Sequence, residues 1–486
     1  MKRSLVAASL LCLLALPARA GWEEAVAAYN NGDYATAARE FRPFAEQGQV
    51  TAQYILGWIY QAGEGASQDL AEAAKWYRRA ADKGNADAQL ALGSLFAAGA
   101  GVKRDDAEAA KLFRKAAEQG KANAQYMLGY MLSAGEGVAK NEAESLVWYR
   151  KAAEQGLPDA QYALGLGLAF GKGATRDEQE ANGWYRKAAE QGHVESAYLL
   201  GWNFERGVGT IPSYEEAAKW YRQAADKGNV EAQFQLATLY RDGRGVARDD
   251  AQAMALFRKA AEKDYAYTTA AVDEFLRNGR PQAGFELADV WLARHPEDVQ
   301  LLLVVSFAAI TEARADPAKY GALARRYGDA TLALIEGGKR PATMTETEWS
   351  EYRDRWQPQL QIQLGTLASK VGSSDEARTR FQKATTLNPK EAYGWYLLGQ
   401  TYFAEYEKLN AASKALEGSA KSEAVAKAFS KLDQVIESYA RTVALAEGKD
   451  NLKDLYAPVL KDLTNVYEFR NGSRTGLEQL IARYRS

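Results

Sequence analysis

Between Thr51 and Gly84 the chain sets two apolar blocks around a glycine-containing loop, and this arrangement of apolar and polar positions returns every 36 residues without a gap. Leu56-Gly57 comes back as Leu92-Gly93, Leu128-Gly129, Leu164-Gly165 and Leu200-Gly201, then as Leu236-Ala237. The triplet Trp76-Tyr77-Arg78 comes back at 112, 148, 184, 220 and 256, twice in the form Leu-Phe-Arg. A fixed period of this length is the signature of a solenoid, in which each unit buries its apolar face on its neighbours. Six units begin at 49, 85, 121, 157, 193 and 229, each reading helix A, loop, helix B. The expectation is an all-α chain of helix-turn-helix repeats.

Local chemistry supports each boundary. Ala52, Leu56 and Gly57 allow close backbone approach and tight filling in helix A, with Tyr54 and Tyr60 beside them. A Gly-x-Gly such as Gly63–Gly65 follows in all six units and reads as the turn that ends the helix, because no phosphate-binding glycine motif surrounds it. Helix B opens on Asp69, Asp105, Asn141, Asp177, Ser213 and Asp249, all good N-caps. Three residues later stand Glu72, Glu108, Glu144, Glu180, Glu216 and Gln252, the spacing of a capping box. That position accounts for the carboxylates without a catalytic or metal-binding role. Gly84 and its equivalents end helix B, and Asp264 in the glycine's place marks the close of the array at 264.

On either side the period loosens. Residues 21–48 read as a terminal helix pair, Glu23 to Asn30 and Tyr34 to Glu46, whose outer face meets water. Residues 265–486 read as degenerate helix pairs, with helix breaks expected near Gly328 and at Gly338–Pro341 and a capping box at Thr345–Glu348. The stretch Asn410–Glu423 reads as a surface loop or a frayed helix ahead of a long helix to Ala446, and a short helix from Thr475 to Tyr484 closes the chain.

The pattern Ala-x-Tyr-x-Leu-Gly-x-x-Tyr…Gly-x-Gly-Val…Asp-x-x-Glu-Ala-x-x-Trp-Tyr-Arg-Lys-Ala-Ala-Glu-Gln-Gly, clearest from Ala124 to Gly156, resembles the Sel1-like repeat, a relative of the tetratricopeptide repeat. The resemblance covers 49–264. Leu364-Gly365, Ala377, Phe381, Ala384 and Asn388-Pro389 are similar to the tetratricopeptide repeat itself. These resemblances imply a right-handed superhelix that binds other proteins, with helix A lining its concave side. Some small secreted members are disulfide-rich and linked to penicillin binding, and the cysteine usage here departs from theirs.

Residues 1–20 carry Lys2-Arg3, an apolar run Leu5 to Leu16 and Ala18-Arg19-Ala20, the layout of a secretory signal peptide cut near Ala20-Gly21. Cleavage would remove Cys12, the sole cysteine, leaving neither disulfides nor thiolate metal sites. It would also remove Lys2, Arg3 and Arg19, taking 61 basic residues to 58 against 63 acidic ones, a net charge of −5. A mildly acidic surface argues against nucleic acid as a partner, and no other stretch has the run of about 20 apolar residues that a membrane span requires. The two histidines, His193 and His295, lack a second histidine at ligand spacing, and no serine-nucleophile signature occurs. A non-enzymatic protein without cofactor or metal is the expectation.

What remains is surface. Position 58 of helix A varies as Trp58, Ser94, Tyr130, Leu166, Trp202 and Thr238, and position 55 as Ile55, Ala91, Met127, Ala163, Leu199 and Gln235. Large apolar residues at positions that stacking does not fix suit a groove for an extended peptide or a partner helix. Trp58, Tyr130, Trp202, Ile55, Met127 and Leu199 are therefore the candidate groove, with packing against the neighbouring helix B as the competing reading. The expected function is an exported scaffold for proteins of the cell envelope. The alternative is a glycan- or peptidoglycan-binding protein whose aromatic rings stack on sugars.

Overall fold

In the computed structural model the chain is described over residues 19–338 and 340–485. The expected signal peptide, up to residue 18 and with Cys12, lies outside the described residues. Every regular element among them is helical. The chain forms two compact units, the first ending at Leu256 and the second beginning at Phe257.

In the first unit, helices Arg19–Asn31 and Tyr34–Glu46 precede the array. Trp22 meets Phe41 and Phe44 edge-on, with ring centroids 5.2 and 5.3 Å away. Helices A then run Val50–Ala62, Ala86–Ala98, Ala122–Ala134, Pro158–Phe170, Val194–Arg206 and Val230–Asp242. Helices B run Leu70–Asp82, Asp106–Glu118, Glu142–Glu154, Glu178–Glu190, Tyr214–Asp226 and Asp250–Ala261. The sequence-read N-caps of helix B do cap: Asp105 accepts a hydrogen bond from the Glu108 amide at 2.9 Å, and Asp177 accepts one from that of Glu180 at 2.8 Å.

The two glycine signals have different physical origins. At Gly57 the Tyr77 ring of helix B lies on the helix A backbone, and a Cβ there would stand 2.6 Å from it. The first loop glycine, Gly63, ends helix A in the left-handed conformation at φ 70°. Its companion does more than turn the chain: at Gly101 a Cβ would collide with the Leu70 backbone at the start of the preceding helix B. The loop glycines are therefore stacking contacts between repeats as well as turns.

A buried amide ladder joins helix A to the helix before it in every repeat but the fifth, where Ala197 stands in place of the glutamine. Gln89 Nε2 donates to the Ala81 carbonyl at 3.1 Å, Gln125 to Ala117 at 3.1 Å and Gln161 to Ala153 at 3.2 Å, a second hydrogen bond to carbonyls that already accept from the amides of Gly84, Gly120 and Gly156. Gln119 donates in turn to Gln89 Oε1 at 2.8 Å, thirty residues away.

The second unit has longer helices. Tyr265–Arg277 and Pro281–Leu292 are followed by Val299–Ala315, Pro317–Glu336 and Glu346–Lys370. Pro317–Glu336 runs without a break through Gly328, where the sequence suggests a stop. Gly328 is a packing residue, since a Cβ there would lie 2.8 Å from Leu364 Cδ1. Thr345 and Glu348 form the full reciprocal capping box. Ser374–Leu387, Ala392–Ser413, Gly418–Ala446, Lys453–Asn471 and Leu477–Ala482 complete the unit. Asn410–Glu423 is helical at both ends around a short turn.

Candidate functional site

The carboxylates three residues into helix B are not spent on a reciprocal box. Glu108, Glu144 and Glu180 each reach an arginine of the preceding helix B, and the pairs Arg78–Glu108, Arg114–Glu144 and Arg150–Glu180 all close to 2.6 Å. The N-cap half of the box forms, and the returning half is replaced by an ion-pair ladder along the stack. Indole N–H groups reinforce it, with Trp148 Nε1 3.3 Å from Glu144 and Trp184 Nε1 3.2 Å from Glu180. The arginine hydrogen bonds hold the Glu144 and Glu180 carboxyls below the usual range, against a smaller opposing effect of burial.

The expected groove residues separate into classes. Ile55 is 1% exposed and sits in the core with Phe41, Phe44 and Leu56, so it lines no groove. Trp58 is half-buried, edge-on to Tyr29 and Tyr34 at 5.7 and 5.1 Å. It is a clamp for the N-terminal helix pair. Met127 and Leu199 are partly buried against neighbouring core clusters. Trp202 is partly buried, and the Arg206 guanidinium lies 4.9 Å from its ring. Tyr130 stands clear at 45% exposure.

A residue that the sequence reading passes over belongs with Tyr130. Phe170, at the end of the fourth helix A, is 68% exposed. It lies four residues beyond Leu166, one turn along the same helix face. Its position is alanine in the first three repeats, at Ala62, Ala98 and Ala134, and that contrast is the signal a sequence search could use. The helix A surface of repeats three to five thus carries Tyr130, Leu166, Phe170 and Trp202.

The second unit holds a cavity of about 520 Å³ lined by Tyr265, Trp291, His295, Asp298, Gln300 and Arg340, among others. Trp291 stacks on His295 at 4.1 Å and donates from Nε1 to Asp298 at 3.0 Å. Burial, aided by Asp298, pushes the Tyr265 hydroxyl up to about 12, so it is a hydrogen-bond donor at neutral pH. His193 caps the fifth helix A, its Nδ1 accepting from the Ser196 amide at 3.2 Å, and packs on Tyr162. Among the described residues no group of three metal-ligating side chains assembles, and no helix is long and apolar enough to cross a membrane.

The Sel1 repeat model matches residues 50–85, 86–121, 122–157, 158–193, 194–229 and 230–265. A Sel1 repeat protein from Oxalobacter formigenes is 31% identical, over 49% of this chain and 96% of that one, with a TM-score of 0.44. The chain belongs to the Sel1-repeat family. It is also similar to a protective antigen present in uropathogenic Escherichia coli strains whose crystal structure displays an SLR fold. That likeness has 26% identity, covers 92% of this chain and 93% of the antigen, and gives a TM-score of 0.53. No curated protein matches the chain. Sel1-repeat proteins generally mediate protein–protein interactions and are generally non-catalytic.

Proposed function

We propose that the protein is an exported, non-catalytic scaffold that holds a protein of the bacterial cell envelope against the helix A surface of its Sel1 repeats. The carrying observation is the exposure of Tyr130 and Phe170, at 45% and 68%, on the third and fourth helices A, followed by a partly buried Trp202 on the fifth. Isolated apolar residues on a surface are ordinary, but large aromatics gathered at stack-independent positions of consecutive repeats suit an interface anchor. The signal-peptide layout of residues 1–20 supports export. The likeness to a protein described as a protective antigen, across nine-tenths of both chains, lends the same reading weight.

The test is capture of partners from envelope extract by the mature chain beside a Tyr130→Ala/Phe170→Ala variant of matched melting temperature, read by mass spectrometry. A protein held by the wild type and lost by the variant supports the reading. Identical retention by both baits removes it. Trp58→Ala, suggested by sequence alone, is a poor probe because Trp58 clamps the N-terminal pair.

A second reading, glycan binding, draws support from the lining of the cavity in the second unit. Rings at Tyr265 and Trp291 beside polar groups at His295, Asp298, Gln300 and Arg340 are the mixture that a sugar needs, an apolar face with hydrogen-bond partners at its edge. Titration with peptidoglycan fragments, wild type against Trp291→Ala, separates this from the protein-binding role.

A further inference from the structure

The repeats are controls for one another, and one of them departs from the rest in a concerted way. Arg78, Arg114 and Arg150 each hold a glutamate thirty residues ahead at 2.6 Å. Arg186 is the next in the series, and among the described residues no carboxylate pairs with it. Glu216, the carboxylate the register offers, instead accepts from Trp220 Nε1 at 3.2 Å and faces Lys219 at 3.9 Å. Arg186 lies over the Phe204 ring at 5.7 Å, at the edge of a cavity of about 590 Å³.

Substitutions within the repeat pattern build that cavity. Where the neighbouring repeats place Ala110, Leu146 and Ala218, the fourth has Asn182. Where they place Lys111, Val147 and Lys219, it has Gly183. Asn182 is 7% exposed, donates to the Val208 carbonyl at 2.7 Å and accepts from Asn203 Nδ2 at 2.5 Å. Asn203 itself stands where four other repeats carry a large apolar residue, Ile59, Leu95, Met131 and Leu239, and the fourth carries Gly167. This buried amide pair fixes the loop that forms the cavity wall, and the loop presents Ile211 at 84% exposure.

Gly183 is the telling residue. It lies inside helix Glu178–Glu190, and a Cβ built there meets nothing within 4 Å. Neither turn geometry nor close packing requires glycine, although glycine weakens a helix interior. What the absent side chain does is leave the cavity open beside Arg186.

We infer that the cavity between helix Glu178–Glu190 and the loop Gly207–Ser213 is a docking site for a protein segment bearing a carboxylate next to an apolar side chain. The carboxylate takes the place at Arg186 that a glutamate fills in the preceding rungs, and the apolar side chain covers Ile211 and Phe204. A lone guanidinium beside Phe204 and Ile211, in a lining that also holds the uncharged polar Gln179, Asn182 and Thr210, suits a monoanion, and charge-assisted pairing with a carboxylate is its strongest contact. This site is separate from the helix A surface proposed above.

The experiment pans a random heptapeptide phage library on the mature full-length chain and measures the selected peptides by fluorescence polarisation. Expected are sequences joining Asp or Glu to an aliphatic or aromatic residue. Replacing the acid by its amide, or Arg186→Gln in the protein, should weaken binding at least tenfold. Gly183→Val, which installs the residue of the third repeat, should abolish binding without lowering the melting temperature by more than a few degrees. Arg222→Gln and Tyr130→Ala/Phe170→Ala should leave binding unchanged. The inference is overturned if no peptide is enriched, if the enriched peptides lack an acid, or if Arg186→Gln binds as well as wild type. Loss of binding in the Tyr130/Phe170 variant alone would also overturn it, by moving the site to the helix A surface.

Discussion

The ring of Tyr149 lies flat enough on Gly129 that a Cβ at that glycine would stand 2.8 Å from Cδ1 and Cε1. This contact repeats wherever the Leu-Gly pair meets the aromatic of helix B, and it makes the same substitution behave oppositely at two glycines of one array. Gly129→Ala forces the ring away and is expected to destabilise by about 1–3 kcal/mol, the usual cost of overpacking. Gly183→Ala meets open space and should stabilise by about 0.5–1 kcal/mol through helix propensity. Urea denaturation of the two variants checks both signs, and equal shifts in one direction would contradict the packing account.

Trp58 and Tyr130 occupy equivalent positions but do different work. Trp58→Ala removes the ring that Tyr29 and Tyr34 meet edge-on, with an expected loss of about 1–3 kcal/mol and faster hydrogen exchange in helix Arg19–Asn31. Tyr130→Ala removes an exposed ring and should fall within about 0.5 kcal/mol of wild type. Exchange measured by mass spectrometry resolves the two, because only the first change should be confined to the N-terminal helix pair.

The contrast shows where the sequence is legible. The helix boundaries of the Sel1 array and the N-caps depend on residues close together along the chain, and Asp105, Asp177 and Thr345 cap as their spacing suggests. Interactions across the stack are harder to read. The partner of Glu144 is Arg114, thirty residues back, and local spacing alone points to a capping box that the longer-range ion pair displaces. Gly328 reads as a stop for the same reason, and the reading is wrong: glycine marks a stop or a close approach, and the position of Leu364 makes it the second. Ile55 and Tyr130 look alike as variable apolar positions, yet one turns into the core beside Phe41 and the other into solvent.

Processing gives an independent prediction. Cleavage after Ala20 leaves Gly21 as the first residue and keeps Trp22, whose contacts with Phe41 and Phe44 close the N-terminal pair. Protein recovered from its native host should therefore begin at Gly21 by intact-mass measurement and leave with the periplasmic or secreted fraction. A chain that retains Met1 to Ala20 in the cytoplasmic fraction would remove the exported reading while leaving the Sel1 fold untouched.

The ion-pair ladder predicts how stability depends on pH. Arg114 and Arg150 hold the carboxyls of Glu144 and Glu180 below their ordinary values through direct hydrogen bonds. A carboxylate whose folded value is lowered contributes stability that is complete above the unfolded value, near about 4.3, and is lost as pH falls through the folded value. The melting temperature should therefore decline below about pH 4.5 and more shallowly in a Glu144→Gln/Glu180→Gln variant. At neutral pH the double variant should be only slightly less stable, because the arginine side chains are more than a third exposed and water screens the pairs. Raising salt to about 1 M should narrow the gap further at neutral pH. If wild type and variant lose stability in parallel on acidification, these rungs do not set the acid limit, and the carboxylates that do must lie elsewhere in the fold.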